Sequence, residues 1–136
     1  MSSSATALQG AITSVLAADP ALSRLLGGAR RIFDDVPPGA QLPYVLFGPV
    51  TSRDWSTSTE TGAEHTLTLQ VVAHAQARRA AQDIADRVRA LLHDQPLALA
   101  RHRLVNLRHT GSEIRRGKDG RAVRAAITFR AVTESL

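Results

Sequence analysis

At 136 residues, 43% hydrophobic and 21% charged, the chain is long and apolar enough to bury a core and too lightly charged to be a disordered tail. It contains no cysteine, which excludes disulfides, thiolate metal sites and a cysteine nucleophile. The formal net charge of +5 is uneven: residues 101–130 carry nine basic side chains against Glu113 and Asp119, and the rest of the chain is slightly acidic. A basic C-terminal third invites an acidic or nucleic-acid partner. Aromatic residues are only 4%, so a core must be built from Ala, Leu, Val and Ile. No apolar run approaches the roughly 20 residues of a membrane helix. Met1 to Leu16 lacks a basic start before its apolar positions, so no secretory signal is expected and the protein is expected to be soluble and cytoplasmic when made.

Leu8, Ile12, Val15 and Leu16 recur at helical spacing, which predicts a helix over Ser4 to Ala18 with a cap from Ser2 to Ser4. Asp19-Pro20 restarts a short helix, because Asp caps and Pro suits the first helical position. Leu22, Leu25 and Leu26 give it an apolar face, and Gly27-Gly28 stops it. Arg30 to Phe33 reads as a short strand and Val36 to Gly39 as a turn. Pro43 to Phe47 reads as a buried strand ended by Gly48-Pro49, with room to continue towards Arg53.

Ser52 to Gly62 has one large apolar side chain, Trp55, among Ser, Thr and charges, and is expected to be a mobile loop or hairpin tip. From Glu64 to His74, Leu67, Leu69 and Val71 alternate with Thr66, Thr68 and Gln70, the signature of a half-buried strand. Gln76 to His93 is an amphipathic helix whose stripe is Ala77, Ala81, Ile84, Val88, Leu91 and Leu92. Arg103 to His109 and Glu113 to Arg116 read as strand segments, and Gly117-Lys118-Asp119-Gly120 as a hairpin turn. Val123, Ala125, Ile127 and Phe129 alternate in the return strand, and Glu134 to Leu136 is expected to fray. The order is α-α-β-β-β-α-β-β. It predicts one domain over 1–136 of the α+β class, a mostly antiparallel mixed sheet with helices packed on one face.

Candidate chemistry is sparse. His65, His74, His93, His102 and His109 include no i, i+4 pair, and they read as surface histidines, not metal ligands. Gly111 to Lys118 resembles a phosphate loop only superficially. Its glycines are too far apart, Asp119 replaces the magnesium-binding hydroxyl, and it lies between strands. Asp34 and Asp35 read as turn acids. Ser14, Ser23 and Ser56 lack a visible base partner or nucleophile elbow. No catalytic residue, metal or cofactor is expected. Arg115, Arg116, Lys118 and Arg121 cluster at one hairpin, where they could meet an acidic surface or phosphates, or merely solubilise an edge.

The whole pattern resembles the tail terminator, or tail-completion, proteins of long-tailed phages and phage-like gene transfer agents. The residues that carry it are Asp19-Pro20-Ala21-Leu22, Arg31-Ile32-Phe33-Asp34-Asp35-Val36-Pro37 and Leu42-Pro43-Tyr44-Val45-Leu46-Phe47-Gly48. The strand His65 to Val72, the helix Ala80 to Leu92 and Gly117-Lys118-Asp119-Gly120 before Arg121 to Val132 complete it. The resemblance implies a non-enzymatic virion protein that caps the tail tube as a ring, with a hexamer expected. Its implied partners are its own copies, the tail tube protein and the head-tail connector or neck protein, with DNA passing through the ring. It implies cytoplasmic assembly followed by residence in the particle. Trp55 and the basic group Arg115, Arg116, Lys118 and Arg121 are the expected partner contacts. A head-side neck adaptor is the alternative, and a small basic nucleic-acid-binding module is a third.

Overall fold

The computed structural model describes residues 3–28 and 31–136. Its elements are α1 (Ser4–Ala18), α2 (Pro20–Leu26), β1 (Ile32–Phe33), β2 (Tyr44–Asp54), β3 (Gly62–His74), α3 (Arg78–Leu92), β4 (Ala98–Leu99), β5 (His102–Arg116) and β6 (Ala122–Ser135). This is the predicted α+β order with a two-residue strand, β4, added before β5. Ser2 as a cap candidate and Arg30 as a strand start lie outside the described residues.

The local starts and stops follow from side-chain chemistry. Ser3 caps α1, its Oγ accepting from the Thr6 amide at 3.1 Å. Asp19 ends α1 and begins α2, where its Oδ2 accepts from the Leu22 amide at 2.9 Å. The same carboxylate takes both prongs of Arg87 from α3, at 2.8 and 2.6 Å. One side chain therefore caps one helix and ties it to another. Gly27 closes α2 at φ 80°, a conformation that costs a glycine little. Leu22 and Leu26, four residues apart on one helix face, are buried, and Leu25, off that face, is 40% exposed.

The six strands lie in the order β1-β2-β3-β6-β5-β4. β1 pairs with β2 in parallel, and every other neighbouring pair is antiparallel. β3 and β6 form the centre, paired without a break from Gly62↔Glu134 to His74↔Ala122. Leu67, Leu69 and Val71 on β3 and Val123, Ala125, Ile127 and Phe129 on β6 are buried. They join Leu8, Ile12 and Leu16 of α1, Leu22 and Leu26 of α2, and Ala81, Ile84, Val88 and Leu92 of α3 in one core. Ala77 precedes α3 in a 3₁₀ turn, Ala75–Ala77.

Bulges adjust the flanking strands. β2 shifts register between Phe47 and Val50. Gly48 there lies so close to β3 that an added Cβ would stand 2.9 Å from the Thr68 carbonyl oxygen. β5 shifts at Leu104/Asn106 and His109/Gly111, so Thr110 to Ser112 is a bulge inside one strand, not a break between two. The expected frayed tail is also strand: β6 continues to Ser135, Thr133 is buried and Glu134 pairs with Arg103.

His65 corrects the reading of all five histidines as surface residues. It is fully buried on β3, its Nδ1 hydrogen-bonded with Ser52 Oγ at 2.7 Å and its Nε2 with Thr133 Oγ1 at 3.0 Å. These cross-strand hydroxyls make the burial tolerable.

Two predictions follow from these contacts. Asp19→Ala should cost about 1–2 kcal/mol in denaturant melts, since it removes a cap and frees Arg87. Asp19→Asn should keep more of that stability. It should also flatten the acid limb, because the Arg87 hydrogen bonds hold the Asp19 carboxyl below its ordinary 3.8 and its contribution is lost as pH falls through the folded value.

Burial, with a smaller contribution from His102, lowers the His65 pKa below its ordinary 6.5. The unfolded chain then takes up a proton that the folded one refuses. Stability should fall as pH drops from 6.5 towards the folded value, and melting of His65→Gln across pH 5–8 should lack that component.

Candidate functional site

The basic cluster forms where β5 hands over to β6. Gly117 N donates to the Ala122 carbonyl at 2.7 Å and Gly120 N to the Gly117 carbonyl at 3.0 Å, closing the predicted turn. Asp119 Oδ1 accepts from the Arg121 amide at 3.0 Å, an Asx-type contact that explains an acid within a basic turn. Because β3 pairs with β6 as far as Ala122, only residues 117–121 extend past the sheet. The strands of this hairpin therefore do not form a free arm, and the Ala75 amide binds the Arg121 carbonyl at 3.0 Å.

Arg115 pairs with Glu113, and Arg124 donates to Gln70 Oε1 at 2.9 Å. Among the described residues, Arg116, Lys118 and Arg121 have no acidic partner and are exposed. Arg116 and Lys118 border an open groove of about 600 Å³ with Arg115, Asp119 and Arg124. Such a surface suits carboxylates or phosphates approaching from solvent.

Trp55 lies at the other end of the same sheet. β2 runs through Asp54, so the expected loop narrows to residues 55–61. That segment is laced internally: Asp54 Oδ1 accepts from the Ser56 amide at 3.1 Å, and the Thr57 amide donates to the Glu60 carbonyl at 2.9 Å. The Trp55 ring has Arg53 at 5.1 Å and Arg130 at 5.5 Å from its centroid. Glu64 holds both guanidinium groups, accepting from Arg53 Nε on one oxygen and from Arg130 Nε, at 2.6 Å, on the other. Those hydrogen bonds, Arg53 first, keep the Glu64 carboxyl below its ordinary range. The ring remains 47% exposed, a held aromatic with surface to spare. The expected partner residues thus form two separate sites at opposite ends of the strands, Trp55 at one and Arg115, Arg116, Lys118 and Arg121 at the other.

The remaining polar groups do not converge. No group of three or more His, Asp or Glu side chains among the described residues could hold a metal ion. Asp34 Oδ1 accepts from Gln9 Nε2 at 2.5 Å, tying its loop to α1. His109 Nε2 shares a hydrogen bond with Ser112 Oγ at 2.6 Å, and its ring stands edge-on to Phe129 at 5.8 Å.

The pairing of Ser52 with His65 is a contact the sequence reading overlooked. Thirteen residues separate the two, and only the β2–β3 register puts them opposite one another. The second imidazole nitrogen meets a neutral threonine hydroxyl in the interior, where a base-orienting carboxylate would stand in a hydrolase.

The model of the family described as tail completion protein gp17 matches residues 10–134. A chain in the solved structure "Virion of native gene transfer agent (GTA) particle" is 34% identical to this one. The alignment covers 99% of this chain and 100% of that chain, with a TM-score of 0.90. No match is found among curated proteins. A fold shared over the full length and a family match spanning all but the first turns and the last two residues agree, and the chain belongs to the tail completion protein gp17 family.

Proposed function

We propose that this chain is a structural virion subunit that closes as a ring over the end of a tail tube and joins it to the head connector. The observation that carries the reading is the full-length likeness, at 34% identity, to a chain of a gene transfer agent virion. Physical features support it. The long strands β2 and β5 flank the central pair and are only partly covered by the two-residue β1 and β4, and the two strand ends carry different chemistry, so one molecule can face two unlike partners. A heterologous contact between copies that closes on itself gives a ring, here expected to be a hexamer.

In this reading Trp55 anchors one contact, and its ring is already oriented by Arg53 and Arg130. The basic turn meets an acidic surface of the tube or neck. Exposed ion pairs give about 0–1 kcal/mol each, so the turn acts mainly on docking rate and orientation. DNA passes through the assembled ring. The role needs no catalytic residue, and the chain is made and assembled in the cytoplasm before it resides in the particle.

Particles produced without this chain should yield tubes that fail to join heads, and the added protein should appear by electron microscopy as a ring at one tube end. Its absence from tube ends would refute the capping role. Lys118→Glu with Arg121→Glu should leave the circular dichroism spectrum unchanged and reduce complete particles several-fold. A normal yield would make the turn a solvated hairpin and nothing more.

A further inference from the structure

The two outer long strands of the sheet, β2 and β5, run antiparallel to each other, because β2, β3, β6 and β5 alternate in direction. A second copy set beside the first therefore brings its β2 against β5 in antiparallel orientation without being turned over. Part of each outer edge is already covered. β1 covers Val45 and Leu46 on β2, where the Val45 amide donates to the Arg31 carbonyl at 2.8 Å. On β5, β4 covers His102 and Arg103. The turn after α3 covers the next part, with the Asp94 amide donating to the Leu107 carbonyl at 2.8 Å and His93 Nδ1 accepting from the His109 amide at 3.0 Å. What remains open is Val50 to Asp54, beyond Pro49, on β2 and Thr110 to Arg116 on β5.

The register decides which backbone groups point outward on those stretches. In an antiparallel ladder, alternate residues turn both their N–H and C=O to the same side. Leu107 and His109 point outward, and the β6 partners of Ser112, Ile114 and Arg116 continue their phase, so these three also point outward. On β2, Val45 points outward, and Val50, Ser52 and Asp54 share its phase relative to β3. One antiparallel register matches all of them: Val50 opposite Arg116, Ser52 opposite Ile114 and Asp54 opposite Ser112. That same register sets Arg53 directly opposite Glu113, and Thr51 opposite Arg115, on the face away from the helices. Backbone alternation, face and charge thus select the same alignment. A groove of about 310 Å³ between Ile114 and Arg78, Arg79 and Gln82 of α3 lies on the helix-side face of this edge, the face that Val50 and Ser52 would share.

We infer that copies of this chain join by strand addition, the β2 edge Val50 to Asp54 of one copy pairing antiparallel with the β5 edge Ser112 to Arg116 of the next. This deepens the ring reading and rests on it. The contact is heterologous, because two different edges meet, and it leaves a free edge of each kind at every step until the last copy closes on the first. The open lengths also fit. β2 meets the basic turn near Gly48-Pro49 and stops short of β1, while Trp55 stops short of the His93–Asp94 cover. The register displaces each copy along the strand direction relative to its neighbour, and such a stagger tilts strands to the axis of a closed sheet.

The chain has no native cysteine, so engineered ones report cleanly. Full-length Thr51→Cys/Arg115→Cys should give, on mild oxidation, a ladder of covalent dimers and higher multiples on non-reducing gels. Thr51→Cys/Ser112→Cys, which sets the two thiols on opposite faces, should not. Ser112→Pro removes one outward N–H and none of the β5–β6 ladder, so it should retain its circular dichroism spectrum and lose assembly. Rings by light scattering or microscopy that show no ladder, or that survive Ser112→Pro, overturn the edge and leave the ring intact. A chain that stays monomeric at every concentration and in the presence of tail tubes overturns both.

Discussion

Everything in this fold takes its phase from the central ladder between β3 and β6. Those strands are paired without interruption from Gly62 to His74, and alternate residues face a single helical layer. A slip of one residue would turn Leu67, Leu69, Val71, Ile127 and Phe129 outward together, so the register is held by the whole apolar set. α3 packs on both strands, and α1 and α2 fill in beside it. The flanking strands inherit the same phase but need bulges to keep it. Gly48 lets β2 approach the Thr68 carbonyl, and the irregularities in β5 let a long strand stay in step with β6. The irregular features thus sit in the outer strands, and the centre is regular.

The arginines on the uncovered face are a second constraint. Arg108 stands opposite Arg130 and Arg115 opposite Arg124 across the β5–β6 ladder, arrangements in which like charges repel. Each is relieved locally. Arg108 reaches Asp94, Arg130 shares Glu64 with Arg53, Arg115 pairs with Glu113, and Arg124 turns to Gln70. Glu64 serves two guanidinium groups, and Arg124 has only an amide, so the face remains net positive. Two of the four relieving groups, Glu64 and Gln70, come from β3, outside the acid-poor last third of the chain.

The elements that sequence made legible were those with a strong period. α1 and α3 show helical spacing, and β3 and the start of β6 show strict alternation. Asp19-Pro20 and Gly117 to Gly120 announce a cap and a turn through their own chemistry. His65 was missed although its parity matches Leu67 and Leu69, because a histidine in phase with a core reads as polar until its two hydroxyl partners are known. Both partners come from other strands, and no local spacing reveals them. Thr133 and Glu134 continue the β6 alternation with polar residues, so the strand's end looked like a tail. Thr110-Gly111-Ser112 looked like a break because a bulge and a turn use the same residues. Trp55 and the basic group were both visible as unusual local composition. Their separation was not, because it depends on which ends of which strands meet.

That separation has a geometric consequence. The aromatic rim at Trp55 and the cationic turn terminate the same ladder in opposite directions, so each molecule is a vector with unlike head and foot. In the proposed side-by-side contact of β2 with β5, every copy carries that vector with the same sign. A ring built that way would have two faces of different chemistry, one bearing Trp55 with its guanidinium groups and the other the cationic turn. The polarity is carried by each subunit on its own, before any neighbour arrives.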